Sequence, residues 1–176
     1  MCYAGHQFGH FVPRLGDGRA INLGKVHGEN LQLKGSGVTM YSRRGDGRAV
    51  LRSSIREYLM SEALHGLGIK TSRAVALIGS DTDVYRERVE KGAIVLRTSP
   101  TWIRFGTFEY FNAHREFGMI EELADYVIAE SFPHLVGAEG CYLKMYAEIV
   151  KNTAETFAGW QSVGFNHGVM NTDNMS

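Results

Sequence analysis

"FNHGVMNTDN", residues 165–174, is the stretch whose reading decides how the rest of the chain is understood. In loops that carry phosphoryl chemistry, the run H-x-D-x-x-x-x-N sets a carboxylate to take the proton of an attacking hydroxyl. Its final amide oxygen holds a divalent metal. His167 takes the His position, and Asn174 follows seven residues later, at the spacing of the metal-holding amide. Val169 stands where the base belongs, and a valine moves no proton. A carboxylate does occur one position before the amide, at Asp173. It is either a displaced proton acceptor or an anchor that orients the loop. His167 reads as a support of the loop rather than as a reacting group.

A loop of this kind belongs to the protein-kinase arrangement, which also needs a glycine-rich loop, a strand lysine and a helix glutamate upstream. "LGDGRAINLG", 15–24, supplies the glycines. Gly16 and Gly18 let backbone N–H groups approach a phosphate, and Arg19 adds charge. No GK[ST] follows, so this is not a Walker A loop, and a plain hairpin over 15–26 explains the glycines equally. Lys34 lies late in "LQLKGSG", a short strand running into a loop. Glu57 comes 23 residues on, inside a helix expected over 48–67, where Leu51, Ile55, Tyr58, Leu59 and Ala63 recur at helical spacing. Glu62 is the rival partner, and an exposed strand lysine is the plain alternative.

Three further groups point to an anionic ligand. "GDGRA" of 16–20 recurs at 45–49, bringing Asp46 and Gly47 to a helix start where anions are favoured. Arg43, Arg44, Arg48, Arg52 and Arg56 crowd the same region, the last three at helical spacing, although a solvated basic face has the same pattern. Arg97 ends the apolar run "AIVLR" and Arg104 follows. Each is suited to forked contact with phosphate or to an ion pair with a buried carboxylate. His6 and His10 are four apart, but Gly9 disfavours a helix and no Glu follows the first His.

Strand-like runs at 74–80, 83–89 and 92–99 follow the first helix. Residues 103–112 fit no pattern. Helices are expected over 115–131 and 141–163, the latter with Tyr146, Ile149, Thr153, Phe157 and Trp160 on one stripe. The order is an α+β arrangement of two lobes, not a βαβ alternation. Nineteen acidic residues balance nineteen basic ones, which argues against a nucleic-acid partner. No apolar run approaches a membrane span, and no secretory signal opens the chain. Cys2 and Cys141 form no disulfide framework, in keeping with a reducing compartment.

Together "YAGHQFG", "LGDGRAINLG", "LQLKGSG", "YSRRGDGRAVLRSSIREYLMSEA", "ALIGSDTDVYRE", "RFGTFEYF" and "GFNHGVMNTDNMS" cover essentially the whole chain. They resemble the selenoprotein O family of pseudokinase protein adenylyltransferases. The resemblance implies a protein-kinase-like fold, with an N-lobe over 1–112 and the start of a helical C-lobe over 113–176. It implies ATP bound end for end, and AMP rather than phosphate passed to Ser, Thr or Tyr hydroxyls of proteins. Gly16, Gly18 and Arg19 then match the nucleotide loop, and Lys34 the phosphate lysine paired with Glu57. Asp46 and Gly47 match a second nucleotide loop, and Arg97 and Arg104 the pocket for the far phosphates. Asp173 matches the proton acceptor and Asn174 a ligand of magnesium or manganese.

With ATP reversed, a base at position 169 has no fixed claim on the chemistry. The family also carries a second metal-binding Asp in a "DYGPFGF"-like segment, which this sequence does not include. The chain is therefore expected to be a piece truncated at both ends and inactive alone. Relatives of this kind occur in bacterial cytoplasm and in mitochondria. An ATP-binding scaffold without turnover is the competing reading, and a conventional kinase is disfavoured by Val169.

Overall fold

The glycines of residues 15–37 make a hairpin, but not at the first glycine pair. In the computed structural model, which describes Met1–Ser176, strands Ala20–Val26 and Glu29–Lys34 pair antiparallel and turn at His27 and Gly28. Both turn residues have positive φ, 49° and 86°. That is the mirror-image two-residue turn whose twist matches paired strands. The hairpin expected over 15–26 is thus displaced: residues 15–19 form a loop leading into it.

The elements in chain order are strands β1 (Gly5–Gln7), β2 (His10–Val12), β3 (Ala20–Val26), β4 (Glu29–Lys34) and β5 (Ala49–Val50), then helix α1 (Leu51–Gly66). Strands β6 (Arg73–Tyr85) and β7 (Val89–Ser99) and helices α2 (Phe105–Ala113), α3 (Phe117–Ser131) and α4 (Cys141–Ser162) follow. Thr172–Asn174 form a single 3-10 turn. The mixed α+β composition expected from the sequence is present. The run at 74–80 and the first part of that at 83–89 are one strand, β6, with an irregularity between Gly79 and Asp83; β6 ends at Tyr85 and β7 begins at Val89.

The chain forms two compact units, Leu15–Trp102 with Met1, and Cys2–Arg14 with Ile103–Ser176. The first is a five-stranded antiparallel sheet. Strand β7 is its spine, with β6 on one edge and β4 then β5 on the other. Ala93 and Val95 of β7 are buried. Helix α1 packs on β6 and β7, burying Ser54 and Leu64. Period-two alternation puts Gln32 and Lys34 of β4 on one face of the sheet, opposite Arg97 and Val95 of β7 in register. This alternation positions the polar cluster described below.

In the second unit α2 fills the stretch that sequence pattern left undecided. Ala124, Ile128, Leu135 and Met145 form the core, with Phe108, Val127, Phe132 and Ile149 against it. The seam of α4 therefore runs through Met145 and Ile149, and Tyr146 of the expected stripe is exposed. Phe157 and Trp160 serve elsewhere: Trp160 stacks on His167 at 5.5 Å and meets Phe165 edge-on. His167 thus braces the chain after α4 through its ring. No helix is long and apolar enough to cross a membrane.

Candidate active site

Lys34 ends β4 and its ammonium is hydrogen-bonded to Oε2 of Glu57 on α1. The other oxygen, Oε1, accepts Nη1 of Arg97 at 2.9 Å. Glu57 therefore holds two cations, one on each oxygen. Glu62, the rival partner, is taken by Arg73 in a two-bond contact at 2.8 and 2.7 Å. Burial, then the Arg97 guanidinium, push the Lys34 ammonium below its ordinary pKa, against the pull of Glu57. Burial works to raise the Glu57 carboxyl, but Lys34 and Arg97 outweigh it and hold it below its ordinary value. The cluster sets one carboxylate between two cations, half-shielded from water, with N–H donors of the kind that suit phosphate oxygens.

Arg97 lies over the Trp102 ring at 4.8 Å, and Trp102 donates its Nε1–H to the Asn30 carbonyl. Its Nε and Nη2 both reach Oε1 of Gln32, a residue that the motif reading passed over. The signal was present, since "LQLK" alternates and so puts Gln32 on the face of Lys34.

The first GDGRA loop packs on residues 39–42, the segment that leads into the second. Thr39 and Ser42 donate their hydroxyls to the carbonyls of Asp17 and Gly18. Gly16 has φ +71°, and a Cβ there would fall 2.3 Å from the Tyr41 ring. Gly47 has φ +64°, with room for no Cβ against the Gly37 carbonyl at 1.9 Å. Both glycines are therefore required by packing, whatever ligand the loops meet. The Arg19 side chain is exposed, while its carbonyl accepts the Gly35 N–H at 2.7 Å.

Asp46 is held by Arg86 through two bonds of 2.8 and 3.0 Å, and it accepts the Arg48 N–H at 2.9 Å. The Arg86 bond holds its carboxyl well down, at about 2. Helix α1 starts at Leu51, so Arg48 precedes it, and Arg52 is paired with Glu90. The expected single basic face of Arg48, Arg52 and Arg56 is thus broken up, because Arg48 lies before the helix and Glu90 pairs Arg52. A hollow of about 620 Å³ is lined by Leu51, Arg52, Ile55, Arg88, Val89, Glu90 and Lys91, and of the basic group Arg43 to Arg56 it includes Arg52 alone.

In the second unit Asp173 is 5% exposed and its Oδ1 has no hydrogen-bond partner. Two glycines make room for it. A Cβ on Gly5 would lie 2.6 Å from that oxygen, and a Cβ on Gly106 would lie 3.3 Å from the Asp173 Cα. The Ala4 N–H bonds the Gly106 carbonyl at 2.8 Å, and Arg104 Nη1 donates to the Asp173 carbonyl. Arg104 also lies over the Tyr3 ring at 4.6 Å. Thr172 bonds Glu109 at 2.7 Å, and Phe105 N–H bonds the Met175 carbonyl at 2.9 Å. "YAGHQFG" and "RFGTFEYF" therefore meet around the turn that carries Asp173. Asn174, next in the chain, is exposed, as is Val169 at 52%. His6 and His10 lie on paired strands rather than on a helix turn. No three His, Cys, Asp or Glu side chains gather in one place.

All 176 residues match the family model described as protein adenylyltransferase SelO. The chain belongs to the SelO family. A Myxococcus xanthus relative, "Protein nucleotidyltransferase YdiU", is 58% identical across the whole chain. Relatives of the same name from Thioalkalivibrio sulfidiphilus and Bordetella petrii are 57% and 56% identical over 100% and 99% of it. The chain spans 37% of the length of each. The two polar clusters of this SelO family chain are thus found within a little over a third of its relatives' length.

Proposed function

We propose that this chain carries the nucleotide-holding and proton-accepting parts of a protein adenylyltransferase. In this reading the first unit is the N-lobe of a protein-kinase-like fold and the second opens its helical lobe. ATP lies reversed, so that its α-phosphorus is the reacting centre. Gly16, Gly18, Arg19, Lys34, Asp46 and Gly47 contact the nucleotide, and Arg97 and Arg104 take the far phosphates. Asp173 accepts the proton of a protein Ser, Thr or Tyr hydroxyl as its oxygen attacks the α-phosphorus. The bond to the β-phosphate bridging oxygen breaks and pyrophosphate leaves. Family membership supports the reaction class.

The observation that carries the assignment is the buried Asp173 oxygen without a partner, beside an exposed Asn174. A buried carboxylate oxygen with nothing to bond is costly to keep as structure alone, and it is suited to receiving a proton. Asn174 offers a hard oxygen donor. Magnesium takes one or two protein oxygens and completes its shell with water and phosphate. When bound, the ion would offset phosphate charge. Manganese accepts the same donors. Asp46 is paired with Arg86, so in this reading its contact with nucleotide runs through a fixed carboxylate.

The test is ATP labelled at the α- or at the γ-phosphate. It is given to the Myxococcus xanthus protein whose matching segment has been replaced by these residues. Label on protein from the α-position alone supports AMP transfer. Label from γ identifies a kinase. ATP binding with neither label identifies a scaffold.

A further inference from the structure

Gln32 is completely buried in the middle of β4, and its amide lies directly across the sheet from Arg97 in register. A buried primary amide in a strand interior needs partners for both of its ends. Arginine has donors only, so the Gln32 oxygen must face it, and Oε1 indeed accepts both Nε and Nη2 of Arg97. The amide nitrogen is thereby turned outward, where it donates to Oδ1 of Asn22 on β3 at 2.8 Å. Asn22 is exposed, so this chain of fixed donors and acceptors runs from the sheet edge to Arg97.

Glu57 accepts Nη1 of Arg97, and Trp102 covers one face of the guanidinium. Gln32 takes Nε and Nη2, so the two residues together fix the plane of the guanidinium. Charge matters as much as geometry. Gln32 holds Arg97 through a neutral amide and so adds no negative charge beside it, which a carboxylate at position 32 would do.

We infer that Gln32 is the positioning residue for Arg97, with Asn22 setting the orientation of Gln32, and that its neutrality preserves the positive charge offered to a phosphate chain. The inference rests on the nucleotide reading above. The experiment is calorimetric titration of the chimaeric Myxococcus xanthus protein with ATP and with AMP, alongside its Gln32→Glu and Asn22→Ala variants. The parent chimaera binds ATP. Gln32→Glu keeps the shape of the side chain, and it weakens ATP by about tenfold or more while leaving AMP within about twofold. Asn22→Ala weakens ATP by a few-fold, again sparing AMP.

Equal losses for ATP and AMP, with a lowered melting temperature, would assign Gln32 to structure alone and overturn the proposal. So would an unchanged ATP affinity in Gln32→Glu. Should Gln32→Glu fail to fold, Asn22→Ala decides by itself, because it leaves the interior side chains in place; unchanged ATP affinity there rejects the proposal. Failure of the parent chimaera to bind ATP would instead remove the nucleotide reading, and the proposal with it.

Discussion

Gly5→Ala tests the site with a single methyl group. The Gly5 backbone is extended strand, so alanine is accepted without backbone strain. The added Cβ falls 2.6 Å from Asp173 Oδ1, 2.8 Å from its Cβ and 2.9 Å from its Cγ. Ordinary contact begins near 3.4 Å, so the carboxyl must retreat by about 0.8 Å, and a misplacement on the order of 1 Å costs about a hundredfold in rate. Overpacking costs about 1–3 kcal/mol of stability, which a melting curve reads separately. The assay is AMP transfer by the chimaeric Myxococcus xanthus protein, with KM for ATP determined in parallel. The expected result is kcat lowered by about two orders of magnitude with KM for ATP within about threefold, since Lys34, Glu57 and Arg97 are untouched. A kcat within about threefold of the parent would refute the reasoning, because Asp173 would have moved without consequence.

Glu57→Gln leaves Lys34 and Arg97 adjacent with no carboxylate between them. We expect a loss of about 1–3 kcal/mol in thermal or urea unfolding and a higher KM for ATP. The Asp46 carboxyl is lowered from 3.8 to about 2 by Arg86, so its contribution is present above pH 4 and is lost as the pH falls towards 2. Both partners are well exposed, which limits the effect to about 1 kcal/mol or less. Arg86→Ala should therefore melt earlier than the parent at pH 6, and the gap should shrink by pH 2 to 3.

What the sequence disclosed depended on how local each feature is. Helix α1 and the strand carrying Lys34 follow from spacing alone, whereas spacing left Glu57 and Glu62 as rival partners, and the Arg73 contact that takes Glu62 decides between them. The hairpin turn was misplaced because His27 and Gly28 form it with a histidine at positive φ, which no glycine count suggests. Strand β6 read as two runs because its irregularity near Gly79 interrupts the alternation. The α4 stripe was read one residue off, since tertiary packing on Ile128 and Leu135 selects Met145 over Tyr146. Gln32, Gly5 and Gly106 were passed over for a common reason. Each acts through a residue distant in sequence: Arg97 for the first, Asp173 for the other two. Asp173 was found only because it adjoins the amide of a known spacing. That its oxygen is buried without a partner is a property of the fold.

The central claim is that this chain's Asp173 serves AMP transfer to hydroxyls. The most direct measurement is mass spectrometry of protein hydroxyls after incubation of the chimaeric protein with ATP and magnesium, beside its Asp173→Asn variant. Asparagine conserves size and removes the proton acceptor. The account predicts Ser, Thr or Tyr residues carrying one AMP in the parent, and almost none in the variant, with ATP affinity retained. Hydroxyls carrying phosphate instead, or AMP at equal levels in both proteins, would contradict it.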